Sequence, residues 1–317
     1  MRTFKNEDRV IFKRLRTLQR RAIERGLDAV LLKQYHLICD GNHEGETKRT
    51  NRKFIALILS SFIALIISVS YVNSILSDRC ALSSNYFVWE ATRPLADCGY
   101  CENVTKPIIL WNVTRQDFSK YAYTPGPVIV KNVIKHWRAT KEFSFNMFKR
   151  LYEQTVGSYE SLEEGCQFLN FKTDLFSLRE VFSMPEARVR NEEGQKPWYV
   201  GWGNCHPDIL AKVRQYYNVP EFLPEDAEFP ATENIFFGYE IGAVMHLDYI
   251  PRLMWQGQVQ GNKTWIVAPV PECDHVCHKF QYYVEPGDVV LLDTRIWYHA
   301  TVIPKGQFSL TVQSEYG

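Results

Sequence analysis

The chain has almost no net charge, +1 over 317 residues, and no internal repeat. The first gives no reason to expect a nucleic-acid partner, and the second excludes a solenoid or propeller array. Disorder is excluded as the main theme, because 45% of the residues are hydrophobic and 14% aromatic, enough for one sizeable core. Charge is nevertheless uneven along the chain. Residues 1–53 hold 14 Lys/Arg against 7 Asp/Glu, leaving 23 against 29 in the rest, so the two parts are expected to face different surroundings.

Residues 54–72, FIALILSSFIALIISVSYV, lack any charge, proline or glycine. At about 1.5 Å per residue such a helix just spans a hydrocarbon core of about 30 Å. A buried helix of a soluble domain rarely omits charge over this length, or follows a cluster such as Lys48, Arg49, Arg52 and Lys53. A cleaved signal peptide starts nearer the N-terminus and has a shorter apolar core. The segment therefore reads as an uncleaved signal anchor with the basic flank cytoplasmic. The rest is lumenal or extracellular, making a single-pass type II membrane protein of the endoplasmic reticulum, Golgi or cell surface. The sequons at Asn103, Asn112 and Asn262 and seven of the eight cysteines lie beyond the span, as glycosylation and disulfide formation require. The expected organisation is a basic cytoplasmic tail (1–53), the anchor (54–72), a lumenal stem with cysteines and sequons (73–126) and a catalytic domain (127–317).

In the tail, Val10, Leu15, Leu18, Ile23, Leu27, Val30 and Leu31 sit among arginines. The spacing is that of a basic amphipathic helix on an anionic leaflet, or of a solvated charged helix. Beyond residue 127 the pattern is mainly β with flanking helices. PVIVKNVIKHW alternates like a strand, FSFNMFKRLYEQTVG predicts an amphipathic helix ended by Gly157, and short strand-like stretches recur between Gly/Pro turns up to Ser309–Gln313. Such spacing points to a sandwich or barrel.

His246-Leu247-Asp248 places an imidazole and a carboxylate at i and i+2, so on a strand over His246–Leu253 both face one side. One more imidazole completes a two-His-one-carboxylate triad, which leaves open positions on a metal. His299 is the candidate, reached through the Pro286-Gly287-Asp288 turn and the apolar run Val289–Leu292. HxD alone is a weak signal; with a glycine hairpin, a PGD turn and an aromatic-flanked His in this order it is strong.

HLDYIPRLMWQGQVQGNKTWIVAP, PGDVVLLDTRIWYHATV and FSLTVQSEY resemble the core of the JmjC/cupin-like Fe(II)- and 2-oxoglutarate-dependent oxygenases, in particular the lysyl- and asparaginyl-hydroxylase branch. The resemblance covers Asn234 to Gly317, and in outline extends back to Pro127. It implies a double-stranded β-helix (cupin/jelly-roll) holding Fe(II) on His246, Asp248 and His299. It also implies that Lys263 pairs with the distal carboxylate of the co-substrate 2-oxoglutarate, with polar co-substrate contacts at Gln256 and Thr311, and Gln313 on the same final strand. A lysine inside a barrel needs an anion, and a dianion in a dry barrel needs a fixed cation. The arginine that other 2-oxoglutarate enzymes carry about ten residues after the second His is missing here. One departure is Ala243, where the family often has a threonine that helps bind 2-oxoglutarate. The implied substrate is a protein or peptide side chain, and an inactive cupin-like lumenal binding module is the alternative. Trp255, Trp297 and Tyr298 read as pocket walls or plain core.

Cys273-Asp-His-Val-Cys277-His278 and Cys98-Gly-Tyr-Cys101 suit zinc or a thioredoxin-like motif in a reducing compartment and disulfides in a lumenal one. Disulfides are expected. Their connectivity is left open by the spacing, and an odd number of lumenal cysteines leaves at least one over.

Overall fold

The computed structural model describes residues 86–317 without interruption, residues 43–77, and part of 13–25. Most of the basic tail and Cys80 lie outside the described residues; of the expected amphipathic helix, residues 13, 14, 16–18, 20, 21 and 24 are described and are helical, and most of the rest lies outside them. The chain divides into two units, Met1–Arg93 and Pro94–Gly317.

In the first unit a 35-residue helix runs over His43–Ser77. Within it Phe54–Ser74, 21 residues, is exposed throughout and contains an 18-residue window of mean hydropathy 2.5, long and apolar enough to cross a membrane.

The second unit is a jelly roll of cupin type with flanking helices. Its strands are β1 (Ile108–Trp111), β2 (Val128–Lys131), β3 (Phe168–Leu169), β4 (Tyr199–Asn204), β5 (Glu233–Tyr239), β6 (Leu253–Gln260), β7 (Lys263–Ala268), β8 (Phe280–Val284), β9 (Val289–Leu292), β10 (Tyr298–Val302) and β11 (Phe308–Tyr316). Eight of them form a mixed sheet in the order β1-β2-β9-β6-β11-β5-β4-β3, and the other three form a sheet in the order β10-β7-β8. Alternation along β11 explains the layering. Leu310 and Val312 point into the main core with Trp198, Trp202 and Phe237, under the helix Phe145–Gln154. Thr311 and Gln313 point the other way, toward the small sheet. A second core of Met254, Trp265, Val267, Val290, Leu292 and Trp297 joins the two sheets.

Ser144 caps the helix Phe145–Gln154 through the Met147 amide, and Phe145, Phe148, Leu151 and Tyr152 form its buried face. The helix ends at Gln154 rather than at Gly157, which at φ +78° turns the chain into the next helix. Expected strands shrink or grow at their ends. The first covers only Val128–Lys131, because Asn132 turns at φ +60°, and the last extends to Tyr316.

The expected strand over His246–Leu253 does not form. Glu240, Ile241 and Gly242 all have positive φ, and the chain leaves β5 through this tight turn. His246 then makes one two-way bridge with His299 (N–H···O 3.0 and 2.9 Å), and the Asp248 amide donates to Thr294 O instead of continuing the ladder. Pro251, which has no amide hydrogen, sits in the following irregular stretch. The stem boundary also differs. The compact unit begins at Pro94, and β1, from within the segment expected as a stem, adds to the sheet edge parallel to β2.

Disulfides Cys98–Cys273 and Cys101–Cys277 fasten residues 98–101 to the turn before β8, and Cys166–Cys205 joins β3 to β4. The zinc reading of Cys273 and Cys277 is thereby excluded. Three bridges fit an oxidising compartment. The first two close nearly the same loop, with separations of 175 and 176 residues. Removing Cys98–Cys273 alone should therefore cost little, since the other still constrains the unfolded chain. Removing both should cost roughly 5 kcal/mol and lower the melting temperature by about 10 °C or more. Thermal unfolding of the double and quadruple Cys→Ser variants checks this non-additivity.

Candidate metal centre

His299 lies on β10 and His246 faces it across the single bridge, so the backbone pairing itself brings the two imidazoles together, ring centroids 4.2 Å apart. Asp248 lies two residues beyond His246. Its Oδ1 lies 3.3 Å from His246 Nε2 and its Oδ2 3.7 Å from His299 Nε2. One ligand atom from each of the three falls within 4.8 Å of the others. The distant Nδ1 atoms face carbonyl oxygens, Val244 O at 2.6 Å and Trp297 O at 3.2 Å. A carbonyl only accepts, so each Nδ1 carries the hydrogen and each Nε2 lone pair is turned to the shared centre. That is the arrangement by which outer contacts orient metal-binding histidines. Trp265 stacks against His299, with centroids 5.6 Å apart and planes 22° from parallel, and fixes its ring.

Electrostatics agree with the geometry. Burial pushes His299 down to about 4, opposed only in part by the Asp248 charge, so this imidazole is neutral and its lone pair free at neutral pH. Burial also draws His246 down, but the hydrogen bond and charge of Asp248 outweigh it and the net shift is upward. For Asp248, burial raises the pKa, and His299 and His246 together more than reverse that. Two nitrogen donors and one carboxylate on one side of a partly open cavity suit a divalent transition-metal ion with coordination positions left over.

Deeper between the sheets is Lys263, fully buried at 0% exposure. Its Nζ donates to Tyr199 Oη (2.6 Å), Thr311 Oγ1 (3.2 Å) and Gln256 Oε1 (3.5 Å). Among the described residues no carboxylate pairs with it. Burial pushes its pKa down to about 7. An ammonium held among neutral oxygens in a cavity that also contains the triad is poised for an anion. Gln256 Nε2 donates to Gln313 Oε1 at 2.7 Å, and both line the cavity with His246, Asp248, His299 and Lys263. Thus every residue singled out for metal or co-substrate from the sequence reaches one place, Thr311 through Lys263.

Several cavity residues were not foreseen. Tyr199 contacts Lys263 directly, and burial raises its phenol above the ordinary range, so it is a neutral hydroxyl. Thr301 bonds to Tyr199 and accepts from the Ala243 amide at 2.9 Å. Asn234 and Gln167 line the mouth. Their only sequence signal is alternation on strands, which core residues share. Trp255, Trp297 and Tyr298 are buried core, and Trp265 is the tryptophan that walls the cavity. Of the sequons, Asn103 and Asn112 are exposed, whereas Asn262 is half-buried in the β6–β7 turn and lies 3.4 Å from Gln307 Oε1.

No family model and no curated protein matches the chain. Among solved structures it is similar to the Escherichia coli ribosomal oxygenase YcfD, at 15% identity and a TM-score of 0.41 over 65% of this chain and 52% of that one. A second structure of E. coli YcfD gives 13% identity and a TM-score of 0.40 over 65% and 53%. The chain therefore spans about half the length of those solved chains.

Proposed function

We propose that this chain is a membrane-anchored Fe(II)- and 2-oxoglutarate-dependent oxygenase that hydroxylates a side chain of a protein or peptide. The compact unit works in the lumen of the secretory pathway or outside the cell. What supports this above all is the convergence of His246 Nε2, His299 Nε2 and the Asp248 carboxylate in one cavity with a buried, carboxylate-free Lys263. Bound together, the iron and 2-oxoglutarate supply the oxidative decarboxylation of 2-oxoglutarate by dioxygen to succinate and carbon dioxide, coupled to insertion of oxygen into a substrate C–H bond.

The side chains have separable tasks. His246, Asp248 and His299 hold the metal from one side. Lys263, flanked by Tyr199 and Thr311, pairs with the far carboxylate of 2-oxoglutarate and so fixes its direction. Trp265, Phe236 and Ile250, which wall the cavity, keep water away, which strengthens the charge pairing. The apolar helix Phe54–Ser74 anchors the chain, with the basic tail on the cytoplasmic side. The three disulfides favour the lumenal assignment of the rest, and glycans are expected on Asn103 and Asn112.

Calorimetric titration of 2-oxoglutarate into the full chain loaded with Mn(II) tests this. Metal-dependent binding at one site per chain is expected; none, with or without metal, rejects the reading. Ala243 lines the same cavity beside Thr301. Ala243→Thr should restore one hydroxyl contact, about 1 kcal/mol, and tighten 2-oxoglutarate binding about fivefold in the same titration.

A further inference from the structure

Four carboxamides line this cavity, those of Gln256, Gln313, Asn234 and Gln167, and the strand register puts them in one row. Gln256 on β6 pairs with Gln313 on β11, Gln313 pairs with Asn234 on β5, and Asn234 pairs with Gly203 on β4. The Gly203 amide in turn donates to Gln167 O at the sheet edge. At about 4.8 Å per strand the row crosses roughly 19 Å. It climbs from Gln256, 5% exposed, through half-buried Gln313 and Asn234 to exposed Gln167.

Gly203 lets Asn234 lean across β4: an added Cβ there would lie 3.1 Å from Asn234 Oδ1 and 3.3 Å from Cys166 Sγ. The inner pair is satisfied, Gln256 bonding to Gln313. The Asn234 and Gln167 side chains make no hydrogen bond to any described residue. They are open donors and acceptors facing the cavity.

We propose that Asn234 and Gln167 form the outer half of a docking track for the main chain of an uncharged polypeptide segment, which delivers its side chain to the metal. The proposal rests on the oxygenase reading for the direction of delivery. A carboxamide offers one acceptor and two donors, the complement of a peptide unit. The charged groups lining the cavity are Asp248 with its two histidines and Lys263, and all of these are engaged by the metal and 2-oxoglutarate. Nothing else in the lining would compensate a buried lysine, arginine or carboxylate of the substrate, so a charged segment is disfavoured. Leu169, Phe171 and Ile250 border the row and receive apolar side chains.

The test uses the full chain in lipid nanodiscs with Mn(II) and 2-oxoglutarate, and three synthetic decapeptide pools: uncharged, lysine-enriched and glutamate-enriched. Wild type should bind the uncharged pool at least about tenfold more tightly than either charged pool. Gln167→Ala, at an exposed position, should weaken the uncharged pool about fivefold, the loss of one hydrogen bond. Asn234→Asp should reverse the order in favour of the lysine-enriched pool. Unchanged melting temperatures show that both variants are folded. Equal binding of the three pools by wild type, or an order unmoved by Asn234→Asp, overturns the track. A wild type that selects the uncharged pool without binding 2-oxoglutarate keeps the track and loses the oxygenase, and the opposite pattern does the reverse.

Discussion

His246→Ala is expected to abolish iron retention and 2-oxoglutarate turnover while leaving the protein folded. The His246 side chain is 31% exposed and outside the two large cores, so truncating it opens no sealed cavity. Its backbone bridge to His299 needs no side chain and persists. The metal would be left with one imidazole and one carboxylate. Altering an outer contact of a metal ligand already costs about 10–100-fold in affinity or activity, so removing a ligand outright should lower iron affinity by at least about a hundredfold. His299→Ala should do the same to iron but also cost stability, because that ring is buried and stacked on Trp265. Metal content after dialysis, together with thermal unfolding, separates the two effects.

Lys263→Met is expected to produce opposite changes in stability and binding. In the ligand-free protein the burial of Lys263 lowers its pKa from an ordinary 10.5 to about 7. Between those values the unfolded chain binds the proton and the folded chain releases it. Folding stability should therefore rise with pH from about 7 toward 10.5, by up to about 1.4 kcal/mol per pH unit from this group. Methionine fills a similar volume without a charge, so the variant should be more stable at neutral pH and its stability should lose this slope. Binding should suffer, since an unpaired buried carboxylate costs about 3–5 kcal/mol, which corresponds to a loss of 2-oxoglutarate affinity of roughly two to nearly four orders of magnitude. In wild type the arriving carboxylate should draw a proton onto Lys263, giving net proton uptake near pH 8. Titrations of wild type and variant in buffers of different ionisation enthalpy measure it directly.

The HxD pair was legible because two side chains at i and i+2 share a face wherever the backbone is extended. That local rule held at His246 and Asp248 even though the strand expected around them gave way to a single bridge and an irregular stretch. His299 and Lys263 were legible through the resemblance and the turns that precede them, which carry their own Gly and Pro signals. Tyr199, Thr301 and Asn234 were not. Each owes its place to which strands become neighbours across the sheet, and Tyr199 in its own strand looks like any buried aromatic. β1 was hidden for a related reason: four residues after a proline make a weak strand signal, and only pairing with β2 makes it one. The partners Cys98–Cys273 and Cys101–Cys277 are set by the closure of the fold over about 175 residues, which cysteine spacing does not encode.

The most direct measurement is an anaerobic titration of Fe(II) into the full chain with 2-oxoglutarate present, followed by the visible charge-transfer absorbance of iron chelated by a 2-oxo acid. One equivalent per chain should saturate the band in wild type, and the band should be absent in His246→Ala. A wild type without the band, or a His246→Ala variant with the same band at the same stoichiometry, would contradict the assignment of iron to His246, Asp248 and His299.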